Sequence, residues 1–418
     1  MTINLRINPE RLLTRISRLA QVGAIDGGGV CRLAFTEQDK LGRDLVIQWM
    51  HELDLHVTID GIGNVVATRT GKKNLHPVMT GSHIDTVRTG GRYDGNLGVL
   101  AGLEVIETLN EAGIETDHPI SVAFFSNEEG ARFAPDMMGS LVFQGGLSLE
   151  DAYQTQGIDG TTVRENLEKI GYIGGHPVGQ NNLHAFIELH VEQGPILEHE
   201  QKNIGAVTGV QGIRWIEFTI KGVSNHAGTT PMRLRHNAGL VAMKIATYVH
   251  QLAEAHPGQL VTIGFMELKP NLVNVIPNDA KFTIDLRNTD QMTLNQIVTD
   301  LLAQAKIIAL EEGVELSFRD LANFQSVSFD ERIIASVESF AKESQLSVQR
   351  LSSGAGHDAQ IISRMCPTGM IFVPSVAGLS HNVKEFTHDA DVVSGANLLL
   401  KIIYELANGK IIEETQHA

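Results

Sequence analysis

Five potential metal ligands, His83, Asp94, Glu129, His190 and His381, each stand in a short polar motif that has no place in an apolar core. Read together they form one site for two divalent metals, so any fold of this chain must bring five distant segments to one point. The apolar run at Val78 leads into Ser-His83-Ile-Asp85. In an extended segment residues two apart point to the same side, so Asp85 can reach back and fix the His83 ring. Gly90-Gly-Arg-Tyr-Asp94-Gly is a glycine-rich loop feeding a helix, which lets the backbone turn tightly and set a carboxylate beside His83. With two oxygens, Asp94 can bridge two cations. After the apolar strand from Ile120 to Phe125 comes Ser126-Asn-Glu128-Glu129, and adjacent carboxylates are tolerable mainly where cations or protons neutralise one. His190 lies in Glu188-Leu-His190-Val-Glu-Gln193-Gly, and His381 in Gly378-Leu-Ser-His381-Asn, after the apolar run Met370 to Val373.

Each motif taken alone has a plainer explanation. His-x-Asp is common, Glu128-Glu129 could be a solvated loop, and His190, alternating with Ile187, Leu189 and Val191, could be a satisfied polar residue in a strand. Their conjunction decides for a metal site. His51, His56 and His250 have no second polar ligand at a useful spacing and read as solvated or structural.

In this order the motifs resemble those of the dimetal M20 peptidase family, and within it the branch of N-carbamoyl-L-amino acid hydrolases, beta-ureidopropionases and allantoate amidohydrolases. The resemblance runs from Gly28-Gly-Val-Cys-Arg-Leu to the last helix. Peptidase members usually carry an acidic fourth ligand; here His190 stands there, followed by the Glu-Gln-Gly that marks the carbamoyl-amide branch. The resemblance implies two divalent metals per subunit, zinc first with manganese, cobalt or nickel as substitutes, held by His83, Asp94, Glu129, His190 and His381. It implies Glu128 and Asp85 as catalytic residues. It also implies a substrate site built from Gln193, Asn274, Arg287 and Gly354. Ser224-Asn-His226-Ala-Gly-Thr-Thr-Pro resembles the family's oxyanion-histidine segment, which makes His226 both a catalytic and a substrate-binding candidate. A homodimer follows from the same resemblance, with His226 entering the partner's site.

At 418 residues the chain exceeds what one core usually supports, so two domains are expected. A net charge of −16 argues against nucleic acid as a partner, because phosphate neutralisation needs a basic surface. Cys31 and Cys366 are too few for a disulfide framework and lack C-x-x-C spacing, which suits a reducing compartment. The amino terminus is charged where a signal peptide is apolar, and no window reaches the roughly 20 apolar residues that span a bilayer. These features lead to an expectation of a cytoplasmic protein without a membrane partner.

The chain is read as α/β: a mixed-sheet dimetal-hydrolase catalytic domain with an inserted ferredoxin-like βαββαβ dimerisation or lid domain. Thr36 is a plausible N-cap for a helix with Leu41, Leu45, Trp49 and Leu53 on one side, and a hairpin-like pair turns at Gly61-Ile-Gly63. A strand over 76–80, a helix from about Leu97 to its Gly113 stop and a strand over 120–125 form a right-handed βαβ unit. From Gly212 the pattern changes to strand 213–221, helix 236–255, strands 260–268 and 281–287, helix 292–311 and strand 313–318. The expected domains are 1–211 with 328–418, and 212–327.

Gly354-Ala-Gly-His-Asp-Ala359 fits a dinucleotide fingerprint in outline, but no acidic residue follows about 20 positions later, and no G-x-S-x-G supports a serine hydrolase. The Gly354 loop is read instead as setting backbone N–H groups against a substrate anion. Two cations held by these residues would lower the pKa of a bound water, and Glu128, free if Glu129 takes the metal, would serve as general base and then acid. The expected reaction is hydrolysis of the carbamoyl C–N bond of a small carboxylated ureido substrate, an N-carbamoyl amino acid. Allantoate hydrolysis is the nearest alternative, then beta-ureidopropionase or peptidase chemistry. A catalytically silent binding protein is the alternative of another class, which an intact Glu128 argues against.

Overall fold

A computed structural model describes residues 5–179 and 181–412. The chain divides into two compact units, one of Met1–Gly209 with Ser328–Ala418 and one of Val210–Val327.

The first unit is built on β1 (His56–Ile59), β2 (Val65–Arg69), β3 (Val78–His83), β4 (Ile120–Phe125), β5 (Ala185–Val191) and β6 (Ile204–Val210). The second contributes β7 (Gly212–Lys221), β8 (Leu260–Lys269), β9 (Asp279–Asn288) and β10 (Glu315–Phe324), before β11 (Val327–Ser328), β12 (Val348–Ser353) and β13 (Thr368–Val373). The larger sheet runs β1-β2-β4-β3-β5-β13-β6-β11, with β12 on β6. β4, β3, β5 and β13 are mutually parallel, while β1 with β2, β2 with β4 and β6 with β13 are antiparallel, so the sheet is mixed as expected. Every residue of β3, β4, β5 and β13 is buried. Such strands need cover on both faces, which is why β4 and β13 read as near-continuous apolar runs.

The helix Asn96–Glu111 and the helix Asp389–Leu406 pack on β3 and β5, and the short helix Asp358–Ile362 also touches both strands. β3 extends three residues past the expected 76–80, so His83 is the last residue of the strand itself. Its carboxyl end, with those of β4 and β5, delivers His83, Glu128 and His190 to one side of the sheet, the end where open α/β sheets bind ligands.

The helix Glu37–Glu52 starts on the Thr36 cap, whose side chain accepts the Asp39 N–H. Its buried face differs from the expected one. Leu41 is exposed, while Asp39, Gly42, Arg43, Val46, Trp49 and Met50 are buried. The rotation is explained by an ion pair: Arg43 Nε meets Asp39 Oδ2 at 2.9 Å, and the guanidinium also donates to the Gly63 carbonyl and Ser126 Oγ. A buried charge is stable when paired and hydrogen-bonded, and here the pair outranks a leucine for the interior.

In the second unit β10-β7-β9-β8 form an antiparallel sheet. The helices Ala238–Ala255 and Gln291–Glu312 pack on it around Phe218, Phe282, Ile245 and Leu301. Strict alternation of buried and partly exposed residues along β9 reflects one face against these helices. β10 runs to Phe324, well beyond the expected 318, pairing with β7 along nearly its whole length. None of the helices among the described residues is long and apolar enough to cross a membrane.

Candidate active site

His83, Asp94, Glu128, Glu129, His190 and His381 all line one cavity in the first unit. Asp94 is at its centre. Its Oδ1 lies 3.7 Å from His83 Nε2 and 3.3 Å from His190 Nε2, while its Oδ2 lies 3.5 Å from His381 Nε2. His381 Nε2 is in turn 3.2 Å from Glu129 Oε2. The donors thus sort into two groups sharing one carboxylate, His83-Asp94-His190 and Asp94-Glu129-His381.

Two ligands about 2.0–2.1 Å from a common tetrahedral ion lie about 3.3 Å apart. The separations on both sides of Asp94 match that spacing, and the nitrogen and carboxylate donor sets suit divalent transition metals. The chain's own residues therefore fit two divalent cations, with Asp94 a candidate ligand in both groups.

Electrostatics point the same way. Burial works against a charged His190 ring, but Asp94 and Glu188 outweigh it and lift the imidazole to about 9. Glu129, with Asp94, lifts His381 to about 9 against burial. Burial also opposes ionisation of Asp94, yet His190, His83 and His381 hold its carboxyl well below the usual range. Burial, followed by Asp358, Glu129 and Asp85, pushes Glu128 well above it. Carboxylates crowded this closely call for positive charge, which metal ions supply.

Local structure explains the placement. Gly95 has φ +65°, and a Cβ there would sit 2.5 Å from His83 ring atoms, so only glycine lets the Asp94 loop close on the histidine. Gly95 N also donates to His190 Nε2 at 3.1 Å, on the atom that faces Asp94. The His190 Nδ1 is held by its neighbour's carbonyl, that of Val191, at 2.9 Å. Arg32, fully buried, donates to the carbonyls of Ile84, Leu19 and Val22 and to Asn96 Oδ1, clamping the segment after His83 to the helix after Asp94.

Asp85 departs from its expected contact. The His83 Nδ1 is fixed by the Asp85 backbone carbonyl at 2.9 Å, while the carboxylate lies 3.9 Å away and turns to the backbone N–H groups of Glu128 and Glu129, at 3.2 and 3.3 Å. Those N–H groups sit at the end of β4, beside β3, and are nearer than the ring. Burial, with Asp39 and Glu129 nearby, pushes the Asp85 carboxyl up to about 8.

Gln193, with φ +56°, donates from Nε2 to Asp94 Oδ2 at 3.0 Å and to Ser380 Oγ at 3.1 Å, leaving a buried Oε1 without a hydrogen-bond partner among the described residues. Gly354 is exposed, and the cavity is lined instead by its neighbours Ala355, Gly356 and His357. His226, Asn274 and Arg287 belong to the second unit. His226 is exposed, its Nδ1 accepts the N–H groups of Gly228 and Thr229, and its segment pairs with Asn274–Ile276. Nε2 is consequently the nitrogen that carries hydrogen and can donate. On β9 the Arg287 guanidinium meets Asp285, its Nη2 at 2.8 Å from Oδ2.

Sequence reasoning missed Glu188, which binds Ser82 Oγ and the Ala359 N–H beneath His190, and Glu385, which holds the Asp94 loop. Glu188 is two residues from His190 on one strand face, a signal that was readable. Glu385 had none beyond its nearness to His381.

Residues 79–405 match Peptidase family M20/M25/M40. The chain belongs to that family. Among M20 members it is 41% identical over 406 residues to N-carbamoyl-L-amino-acid amidohydrolase of Rhizobium meliloti, covering 97% of this chain and 98% of that one. It is 35% identical over 399 residues to allantoate amidohydrolase of Bacillus subtilis, covering 94% and 96%. A crystal structure of an amidase of the hydantoinase/carbamoylase family from Burkholderia multivorans superimposes with TM-score 0.93 at 43% identity, covering 97% and 99%. These likenesses set the chain in the carbamoylase and allantoate branch of M20.

Proposed function

We propose that this M20 protein hydrolyses the carbamoyl C–N bond of N-carbamoyl-L-amino acids. The observation that carries the reading is Asp94, whose two oxygens face two separate donor groups, with Glu128 beside them and 3.3 Å from His83 Nε2. The curated relatives supply the substrate class. Zinc is the metal we assign first; manganese, cobalt or nickel would suit the same donors.

The chemistry supplied by two bound divalent cations is Lewis-acid polarisation of the ureido carbonyl and a lowered pKa for water. Glu128, its backbone pinned by Asp85, takes the proton from the attacking water and hands it to the amino-acid nitrogen as the C–N bond breaks. Carbamic acid leaves and decomposes to ammonia and carbon dioxide, so one water is consumed. A donor at the carbonyl oxygen stabilises the developing charge, and His226 Nε2 is assigned to it. Arg287 and Asn274 are assigned to the substrate carboxylate, a role in which Arg287 would exchange or share its Asp285 partner. Gln193 and the Gly354 loop complete the substrate set.

The strand order β10-β7-β9-β8 with two helices supports reading 212–327 as a ferredoxin-like lid through which two chains pair, leaving 1–211 with 328–418 as the catalytic domain. We place the enzyme in the cytoplasm. Allantoate is the second substrate reading, favoured by the Bacillus subtilis relative and the Gly356-His-Asp-Ala-Gln run.

The test is ammonia release by zinc- or manganese-loaded protein from N-carbamoyl amino acids, N-carbamoyl-β-alanine, allantoate and a dipeptide. Turnover of at least one ureido substrate is expected. Cleavage of the dipeptide alone would sink the assignment.

A further inference from the structure

Asp136 lines the cavity that holds the metal donors and Glu128, yet nothing in the reaction described above uses it. The chain doubles back to place it there. Met137 N donates to the Glu128 carbonyl at 2.7 Å, and Gly130, at φ +61°, packs so closely that a Cβ on it would lie 2.9 Å from the Asp136 Cα. The side chain crosses toward the opposite wall, its Oδ2 3.7 Å from where a Cβ on Gly356 would stand. It is half-buried and belongs to neither donor group around Asp94, and among the described residues no Lys, Arg or His pairs with it. Burial, with Glu129 nearby, pushes its carboxyl up, a cost that a hydrogen-bond donor from the substrate would relieve.

A carboxylate on the wall of the cavity that holds Asp94 and Glu128 is a hydrogen-bond acceptor in the space a substrate would enter. The donor that separates a ureido group from an ordinary acyl group is its terminal NH2. We propose that Asp136 accepts a hydrogen bond from that NH2 and is the specificity-determining residue that separates N-carbamoyl from N-acyl substrates. The inference rests on the amidohydrolase reading above. An N-acetyl substrate would set a methyl group against the carboxylate, leaving it desolvated with its own backbone N–H as donor and none from the substrate. Sites built to bind a substrate donor reject analogues lacking it by up to about 10⁴–10⁵-fold, and a half-buried acceptor works below that ceiling.

The experiment compares kcat/KM for N-carbamoyl-L-methionine and N-acetyl-L-methionine in the zinc-loaded wild type, Asp136→Ala and Asp136→Leu, with metal content measured for each. The wild type is expected to favour the carbamoyl substrate by at least about a hundredfold. In either folded variant the ratio should fall at least about tenfold through loss on the carbamoyl substrate, with metal content unchanged. Equal loss on both substrates, or an unchanged ratio, overturns the proposal. Failure of the underlying reading is seen in the wild type alone, as cleavage of the acetyl substrate without the carbamoyl one.

Discussion

Glu385 Oε1 accepts the backbone N–H of Asp94 at 3.1 Å, and the same oxygen accepts that of Tyr93 at 2.9 Å. The loop carrying one metal-ligand candidate is therefore folded around a carboxylate four residues beyond another, His381. The fit is close: a Cβ on Gly91 would fall 2.1 Å from Glu385 carboxyl atoms. Glu385→Ala strands two buried N–H groups and frees Asp94 to move. Metal affinity is expected to drop about 10–100-fold, as for other residues that orient metal ligands. Glu385→Gln, which keeps the acceptor oxygen, should lose less. Chelator competition for zinc reads both, and equal affinities in the wild type and Glu385→Ala would refute the bracing role.

The adjacent acids should divide their labour. Glu128→Gln is expected to keep its metals and lose at least about a hundredfold in turnover, the usual scale of a general base. Glu129→Gln should lose metal affinity instead. Elemental analysis beside steady-state rates decides this, and a metal-free Glu128→Gln would reverse the assignment.

Removing one partner of a buried ion pair leaves an uncompensated charge. Arg43→Ala, which strands Asp39 and releases Gly63 and Ser126, is expected to cost about 3–5 kcal/mol in urea denaturation. A loss below about 1 kcal/mol, the range of exposed pairs, would show that the pair contributes no more than a surface contact.

Burial pushes the Cys366 thiol up to about 12, whereas Cys31 is partly exposed. The thiolate is the reactive form, and at pH 8 its share at Cys366 is on the order of 10⁻⁴. Iodoacetamide should label Cys31 alone in the native protein. The pattern should persist to pH 9, because a raised pKa keeps the thiol protonated throughout that window, and both sites should react once the protein is unfolded. Mass spectrometry showing rapid native labelling at Cys366 would contradict its burial.

If His226 serves the partner's site, two inactive variants should complement one another. Mixing Glu128→Gln with His226→Ala under subunit exchange gives half mixed dimers with one intact site each, hence about a quarter of wild-type activity. Were His226 to act within its own subunit, every site would carry a defect and no activity would return.

What could be read from the sequence was local. The placement of His83, Glu129 and His190 was legible because each stands at or near the carboxyl end of a strand, and the antiparallel pair about Gly61–Gly63 because a turn has its own chemistry. Contacts set by distant segments were not. Spacing allowed Asp85 to face His83, but only the parallel pairing of β3 with β4 puts the Glu128 and Glu129 backbone within its reach. Hydrophobic periodicity favoured Leu41 for the core, and nothing local revealed that Gly63 and Ser126 would claim Arg43 for it.

Arg32 bears on where the working enzyme begins. The stretch that identifies the family opens at residue 79, yet the cation tying Ile84 to Asn96 comes from far upstream, as do Asp39 and Arg43 under Ser126. A fragment trimmed to residues 79–405 would keep all five candidate ligands and Glu128 and lose the guanidinium groups that hold their loops in register. The alignment of the candidate donors therefore depends on an amino-terminal segment that contributes none of them.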